Sequence, residues 1–186
     1  MQSWNRIENW LGAKAPDLLA ALSGPASAES FRKLELATQL TLPSDARASY
    51  FRHDGQIKEA PPVLGRWWLL KLETSLATWS GMRESQAVFD AADPVITTAG
   101  AVRKRYWNPR WVPVMFDGTG DFLCLDLDPA PGGRRGQVVW FQKTSKRREV
   151  LTPSLDAWLE RFAGELERGQ WQVGADGLLA KVEVAA

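Results

Sequence analysis

The stretch from Trp111 to Phe141 restricts the fold more than any other part of the chain. Trp111 to Phe116 is an apolar run too short for a helix, and Asp117-Gly118-Thr119-Gly120 after it reads as a turn. Asp121 to Leu127 follows, with Leu123, Leu125 and Leu127 spaced to share one strand face. The loop Asp128 to Gly136 then leads to a third apolar run, Gln137 to Phe141. Connections this short carry no parallel crossover, so the three strands must form an antiparallel meander over about 111–142. The first and third strands are apolar on both faces, which predicts a cover on each side of the sheet.

Helical spacing flanks the meander. Ser3 reads as an N-cap for a helix with Trp4, Ile7 and Leu11 on one face, closed by Gly12. Pro16 opens a second helix, which Gly24-Pro25 stops. A third is expected from Ala28 to about Gln39, and a short fourth begins at Leu42-Pro43-Ser44-Asp45 and ends at His53-Asp54-Gly55. Trp67-Trp68-Leu69-Leu70 reads as a strand by its length. Thr74 then caps a helix holding Leu76, Trp79 and Met82. Ala99-Gly100, Arg103-Lys104-Arg105 and the basic stretch Lys143 to Arg148 read as loops. Thr152 caps the last helix, Pro153 takes its first position, and Leu155, Trp158, Leu159, Phe162 and Leu166 form its apolar stripe up to Gly169. Leu178 to Val184 reads as a terminal strand or a mobile tail. The fold class is therefore α+β: a mainly antiparallel sheet wrapped by N-terminal helices and a C-terminal helix. Residues 1–170 are read as one domain and 171–186 as a C-terminal extension.

Composition removes several function classes. The chain has 186 residues, with 23 Lys and Arg against 22 Asp and Glu. That balance argues against nucleic acid as the partner and against an acidic nucleic-acid mimic. It also predicts an interface that depends on a few central residues more than on bulk charge steering or salt. One Cys and one His leave no disulfide framework and no Cys/His zinc site of ordinary ligand count. No apolar run is long enough to span a bilayer, and Met1 to Arg6 does not begin a signal peptide, so a cytoplasmic location is expected. Trp, at 10 residues, is the outlier and marks cores and interfaces.

The chemistry-bearing residues are sparse. Cys124 lies inside an apolar strand, where a thiol is inert packing. No Gly-x-Ser-x-Gly elbow is present, and both glycine groups of the meander join strand to strand, unlike a phosphate-binding loop. Asp117, Asp121, Asp126 and Asp128 are the best candidates for acid/base or metal work. Turn chemistry and a solvated strand end are nevertheless the favoured explanation for them. No catalytic, metal or cofactor site is therefore expected. Strong contacts use exposed aromatics or Arg inside a polar rim. The candidate partner-binding residues are Asp54, Trp67, Trp107, Asp121, Asp126, Asp128, Arg134 and Arg135.

The order of features carries a resemblance. Leu34-Glu35 precedes Leu42-Pro43-Ser44-Asp45, an aromatic helix end and His53-Asp54-Gly55-Gln56. Trp111-Val112-Pro113-Val114, Asp117-Gly118-x-Gly120-Asp121, Leu125-Asp126-Leu127-Asp128-Pro129 and Gly136-Gln137-Val138 follow. Over Trp4 to Gly169 the chain resembles the SUKH superfamily, specifically the Smi/Knr cell-wall-assembly-regulator-like family. Asp54-Gly55 stands where relatives often have Asn-Gly. The resemblance implies an α+β fold without enzymatic activity. Bacterial members are often immunity proteins that neutralise a cognate toxin by complex formation, and fungal members act as regulatory scaffolds. The first expectation is thus an immunity protein whose partner is a cognate toxin domain. The second is a regulatory scaffold linked to cell-envelope synthesis, and a metal-dependent hydrolase using the Asp cluster comes a distant third.

Overall fold

The computed structural model describes residues 2–91 and 94–182. Helices α1 (Gln2–Lys14), α2 (Pro16–Ala20), α3 (Ala28–Thr38) and α4 (Ser44–Arg52) come first. Strand β1 (Trp68–Leu69), helices α5 (Leu72–Glu84) and α6 (Gln86–Ala91) and strand β2 (Thr97–Ala99) follow. The meander is β3 (Trp111–Phe116), β4 (Phe122–Asp126) and β5 (Gln137–Phe141), and β6 (Arg147–Thr152) extends it. Helix α7 (Leu155–Glu167) and a hairpin of β7 (Trp171–Val173) and β8 (Leu179–Lys181) complete the described chain. The fold is α+β, with one sheet in the order β1-β3-β4-β5-β6-β2. All its pairs are antiparallel except β2 with β6.

Both sheet faces are covered, for different reasons. On one face Val112, Met115, Leu123, Leu125 and Val138 meet α7 through Leu155, Leu159 and Phe162. Trp4, Ile7 and Leu11 of α1 join the same core. On the other face Trp111, Cys124, Val139 and Phe141 lie under Trp79 of α5 and Trp107 of the segment between β2 and β3. Alternation puts Trp111 on one side and Val112 on the other, and a register shift between Pro113 and Met115 brings the consecutive Val114 and Met115 into the same α7-side core. Pro113, which has no N–H to give, sits at that irregularity.

Several local expectations need correction. α1 continues through Gly12 to Lys14. The cap of α7 is Ser154, whose Oγ accepts from Ala157 N at 3.1 Å, because Thr152 ends β6 and turns its hydroxyl to Ser154 O. The N-terminus of α5 lies at Leu72, two residues before Thr74. Strand β6 begins inside the stretch read as a basic loop, and β2 ends at Ala99, the residue where the connecting loop was expected to start. Arg148 hid β6: it is a charged residue at a fully buried strand position. Its guanidinium donates to Tyr106 O and Gln142 O and lies 3.9 Å from the Phe141 ring centroid. Burial pushes its pKa down to about 10, still leaving it charged at neutral pH. The tail expectation resolves into β8 for Leu179–Lys181, while residues 183–186 lie outside the described ones.

No helix among the described residues is long and apolar enough to cross a membrane. Phe162 is 4% exposed and stacks on Trp158. Phe162→Ala should therefore cost roughly 3–5 kcal/mol, and urea unfolding with an unchanged midpoint would show that α7 does not dock as described.

Candidate functional site

The turn His53 to Gln56 joins the helical half to the sheet. Gly55 has φ +73°, and a Cβ there would stand 2.4 Å from Lys71 N, so only glycine fits. That close approach delivers Gln56 to the edge of β1. Its backbone N donates to Leu69 O, and its side-chain Oε1 accepts from Leu69 N and from Val63 N. Its Nε2 donates to Pro61 O. Asp54 beside it accepts from Leu72 N at 2.8 Å and so caps α5 from outside that helix. The His53 ring faces Ser23 O through Nδ1 and the Glu8 carboxylate through Nε2, both at 2.8 Å. The Arg52 hydrogen bond holds the Glu8 carboxyl below its ordinary range, against the opposing effect of burial.

A groove of about 660 Å³ opens next to this turn. Leu69, Leu70, Phe116, Phe122 and Trp68 form an apolar floor, and Ile57, Lys58, Lys71 and Thr74 stand on the rim. Phe116 and Phe122 stack at 5.1 Å. Ile57 is largely exposed although apolar. None of these groove residues was among the sequence candidates. They come from distant segments, and no local pattern distinguishes them from core residues.

The structure divides the sequence candidates into three places. Trp67 and Asp121 come together through Trp140. Trp67 packs edge-on to that ring, and Trp140 Nε1 donates to Asp121 Oδ2 at 3.1 Å. Asp121 Oδ1 also accepts from Lys143 N, which fixes the end of β5. Asp54 stands alone at the α5 cap. Trp107, Asp126, Asp128, Arg134 and Arg135 meet at the other end of the meander.

Three candidates prove to be interior residues. Trp107 is fully buried between Trp111 and Phe141, and Trp67 is nearly so. Asp126 is 0% exposed. Its Oδ1 accepts from Asp128 N, and its Oδ2 accepts from Gln137 Nε2 at 2.9 Å. Burial raises its pKa, with those hydrogen bonds in opposition. Alternation had placed Asp126 and Asp128 on one solvated face. The strand ends at Asp126, so the two part company. Asp128 is half-buried and held by Arg103 and by Asn108 Nδ2. Its own partial burial works against ionisation, yet those two partners keep its pKa below the ordinary value. Arg134 and Arg135 project outward, and Arg135 reaches Thr41 O.

Each of these candidate aspartates thus has a structural partner. Asp117, the remaining member of the cluster, accepts from Thr119 and from Asp121 N and pairs with Arg66. No group of three or more His, Cys, Asp or Glu among the described residues is placed to hold a metal ion.

The model of the SMI1 / KNR4 family (SUKH-1) matches residues 25–161. Among curated relatives, the cell wall biosynthesis/cell cycle regulator smi1 of Schizosaccharomyces pombe is 30% identical over 94% of the chain and 38% of its own length. The glucan synthesis regulatory protein of Neurospora crassa is 26% identical over 94% of the chain and 40% of its own length. The cell wall assembly regulator SMI1 of Saccharomyces cerevisiae is 24% identical over 94% of the chain and 42% of its own length. The chain spans less than half the length of each.

Two measurements check the site geometry. Asp126→Ala should lower stability by about 1–3 kcal/mol, because it removes the side-chain acceptor of Asp128 N and one of the two acceptors of Gln137 Nε2. Asp128→Ala should cost less than about 1 kcal/mol, since its pair with Arg103 is solvent-screened. Equal losses in urea titrations would contradict the burial difference. The depressed Glu8 pKa sets a pH dependence. Its stabilisation is full above the ordinary carboxylate pKa and disappears as pH falls through the lowered value. Glu8→Gln should accordingly melt earlier at neutral pH and lose less on acidification than the wild type.

Proposed function

The chain belongs to the SMI1 / KNR4 family (SUKH-1), and from that premise we propose that it is a non-enzymatic, protein-binding regulatory module. The observation that carries this reading is the state of its carboxylates. Asp54, Asp117, Asp121, Asp126 and Asp128 are each engaged in capping, turn or strand-end hydrogen bonds. A protein whose acids are committed to its own structure acts through surface contact. A large apolar groove with an exposed rim stands open for such contact.

The setting is drawn from the relatives. Their names describe regulators of cell wall biosynthesis, glucan synthesis and cell wall assembly. We place the chain in a comparable role, holding a component of envelope-polymer synthesis or of the signalling that controls it. This replaces the immunity protein as the first reading, because the relatives that match over most of the chain are fungal regulators. Residues 1–170 serve as the domain of this module, with 171–186 as its extension. Asp128, Arg134 and Arg135 remain contact candidates, whereas Trp67, Trp107 and Asp126 act by supporting the surface from beneath.

Co-purification from the native cell, with mass-spectrometric identification of stoichiometric partners, tests the proposal. The expected partner is a protein of envelope synthesis or its control. Recovery of a secreted toxin domain encoded beside the chain would restore the immunity reading. Substrate turnover by the purified protein would end both.

A further inference from the structure

The charges are unevenly distributed along the chain. Residues 101–148 hold ten Lys and Arg against four Asp, leaving 13 against 18 elsewhere. Two of those aspartates, Asp117 and Asp121, lie at the opposite end of the β3–β4 hairpin. At the near end Asp126 is buried and Asp128 is already held by Arg103. Lys104, Arg105, Arg110, Arg134 and Arg135 are all exposed there, and none is in ion-pair contact with a described carboxylate.

The two loops that carry these cations are fastened to each other. Ala130 N and Gln137 Nε2 both donate to Ala101 O, Arg103 Nε donates to Asp128 O, and Leu127 N donates to Arg110 O. Gly133 lies so close that a Cβ would stand 2.7 Å from Ala101 O. The cations therefore project from a backbone that is already ordered, which lowers the entropic cost of binding.

We infer that this cationic loop end is a docking surface for a carboxylate-rich segment of a partner protein. The inference rests on the reading of the chain as a protein-binding module and names the partner chemistry. Guanidinium groups pair with carboxylates through parallel N–H donors, which suits the four arginines among the five cations. Single-stranded nucleic acid fits less well. Bases need exposed aromatic rings to stack on, and the indoles at this end, Trp107 and Trp111, are fully buried. The near-neutral total charge had suggested weak dependence on salt. Segregation of that charge reverses the expectation for this surface.

Fluorescence anisotropy of the full chain with a fluorescein-labelled peptide of alternating Glu and Gly tests the inference, with an oligouridylate of equal length as the competing class. Wild type and a control with Lys14→Glu and Lys33→Glu should bind the peptide, and binding should fall as salt rises. Arg134→Glu with Arg135→Glu, or Lys104→Glu with Arg105→Glu, should raise the Kd at least about tenfold. Circular dichroism confirms the fold of each variant, and the second pair stands in should the first not fold. Absence of peptide binding, equal binding by all the proteins, or tighter binding of the oligouridylate would overturn the inference. Should the Arg134/Arg135 reversal still capture the native partner while no protein binds the peptide, this inference fails and the protein-binding reading stands. Failure of the wild type to capture any partner would remove that reading as well.

Discussion

The side-chain amide of Gln56 stands where a neighbouring strand would otherwise be. Strand β1 is two residues long and lies at the sheet edge, so its outward N–H and C=O need partners. Gln56 supplies both, through its backbone N to Leu69 O and its Oε1 to Leu69 N. The flanking residues depend on the same placement. Gly55 permits the approach to Lys71, Asp54 caps α5, and His53 ties the turn to Ser23 and to Glu8 of α1. Four consecutive residues thus fasten the first helices, the edge of the sheet and the start of α5. The helical and sheet halves also share one apolar core and the polar links that α1 and α4 make to α7.

The sheet that this junction anchors is two-sided, and its second face is unusual in content. The face toward α7 is aliphatic and closes by ordinary helix-on-sheet packing. The opposite face collects indole and phenyl rings, with Trp107, Trp111 and Phe141 in edge-on contact. Arg148 lies against Phe141 among them, its charge met by backbone carbonyls and ring faces, with no described carboxylate in ion-pair contact. Three of the ten tryptophans, Trp79, Trp107 and Trp111, close this face. The recognition surfaces that remain are built over it: the groove near Phe116 and Phe122, and the cationic loop end above Trp107.

The placement of the carboxylates connects fold to function. In the sequence they look like a cluster available for chemistry or for a partner. In the structure Asp117 and Asp121 organise one turn, Asp126 fixes the mouth of the opposite loop, and Asp128 restrains Arg103. These bonds hold the loops that present Arg110, Arg134 and Arg135. The acids order the backbone and the bases face outward, a division of labour suited to recognition by contact.

The sequence alone determined the elements whose signals are local. The meander followed from its turn residues and short connections, and α7 from its apolar stripe. The α+β class and the family resemblance needed no coordinates. Only the tertiary structure decided which residues face outward. Trp67, Trp107 and Asp126 became interior because strands and loops distant in sequence close over them. β6 escaped notice because buried Arg148 breaks the apolar alternation, and β2 because its pairing partner lies about fifty residues further along the chain. The cap of α5 comes from Asp54, 18 residues before Leu72, where no local rule would seek it. The groove and the cationic end are likewise joint products of separated segments. Periodicity and turn chemistry report on neighbours along the chain, whereas a binding surface is defined by neighbours in space.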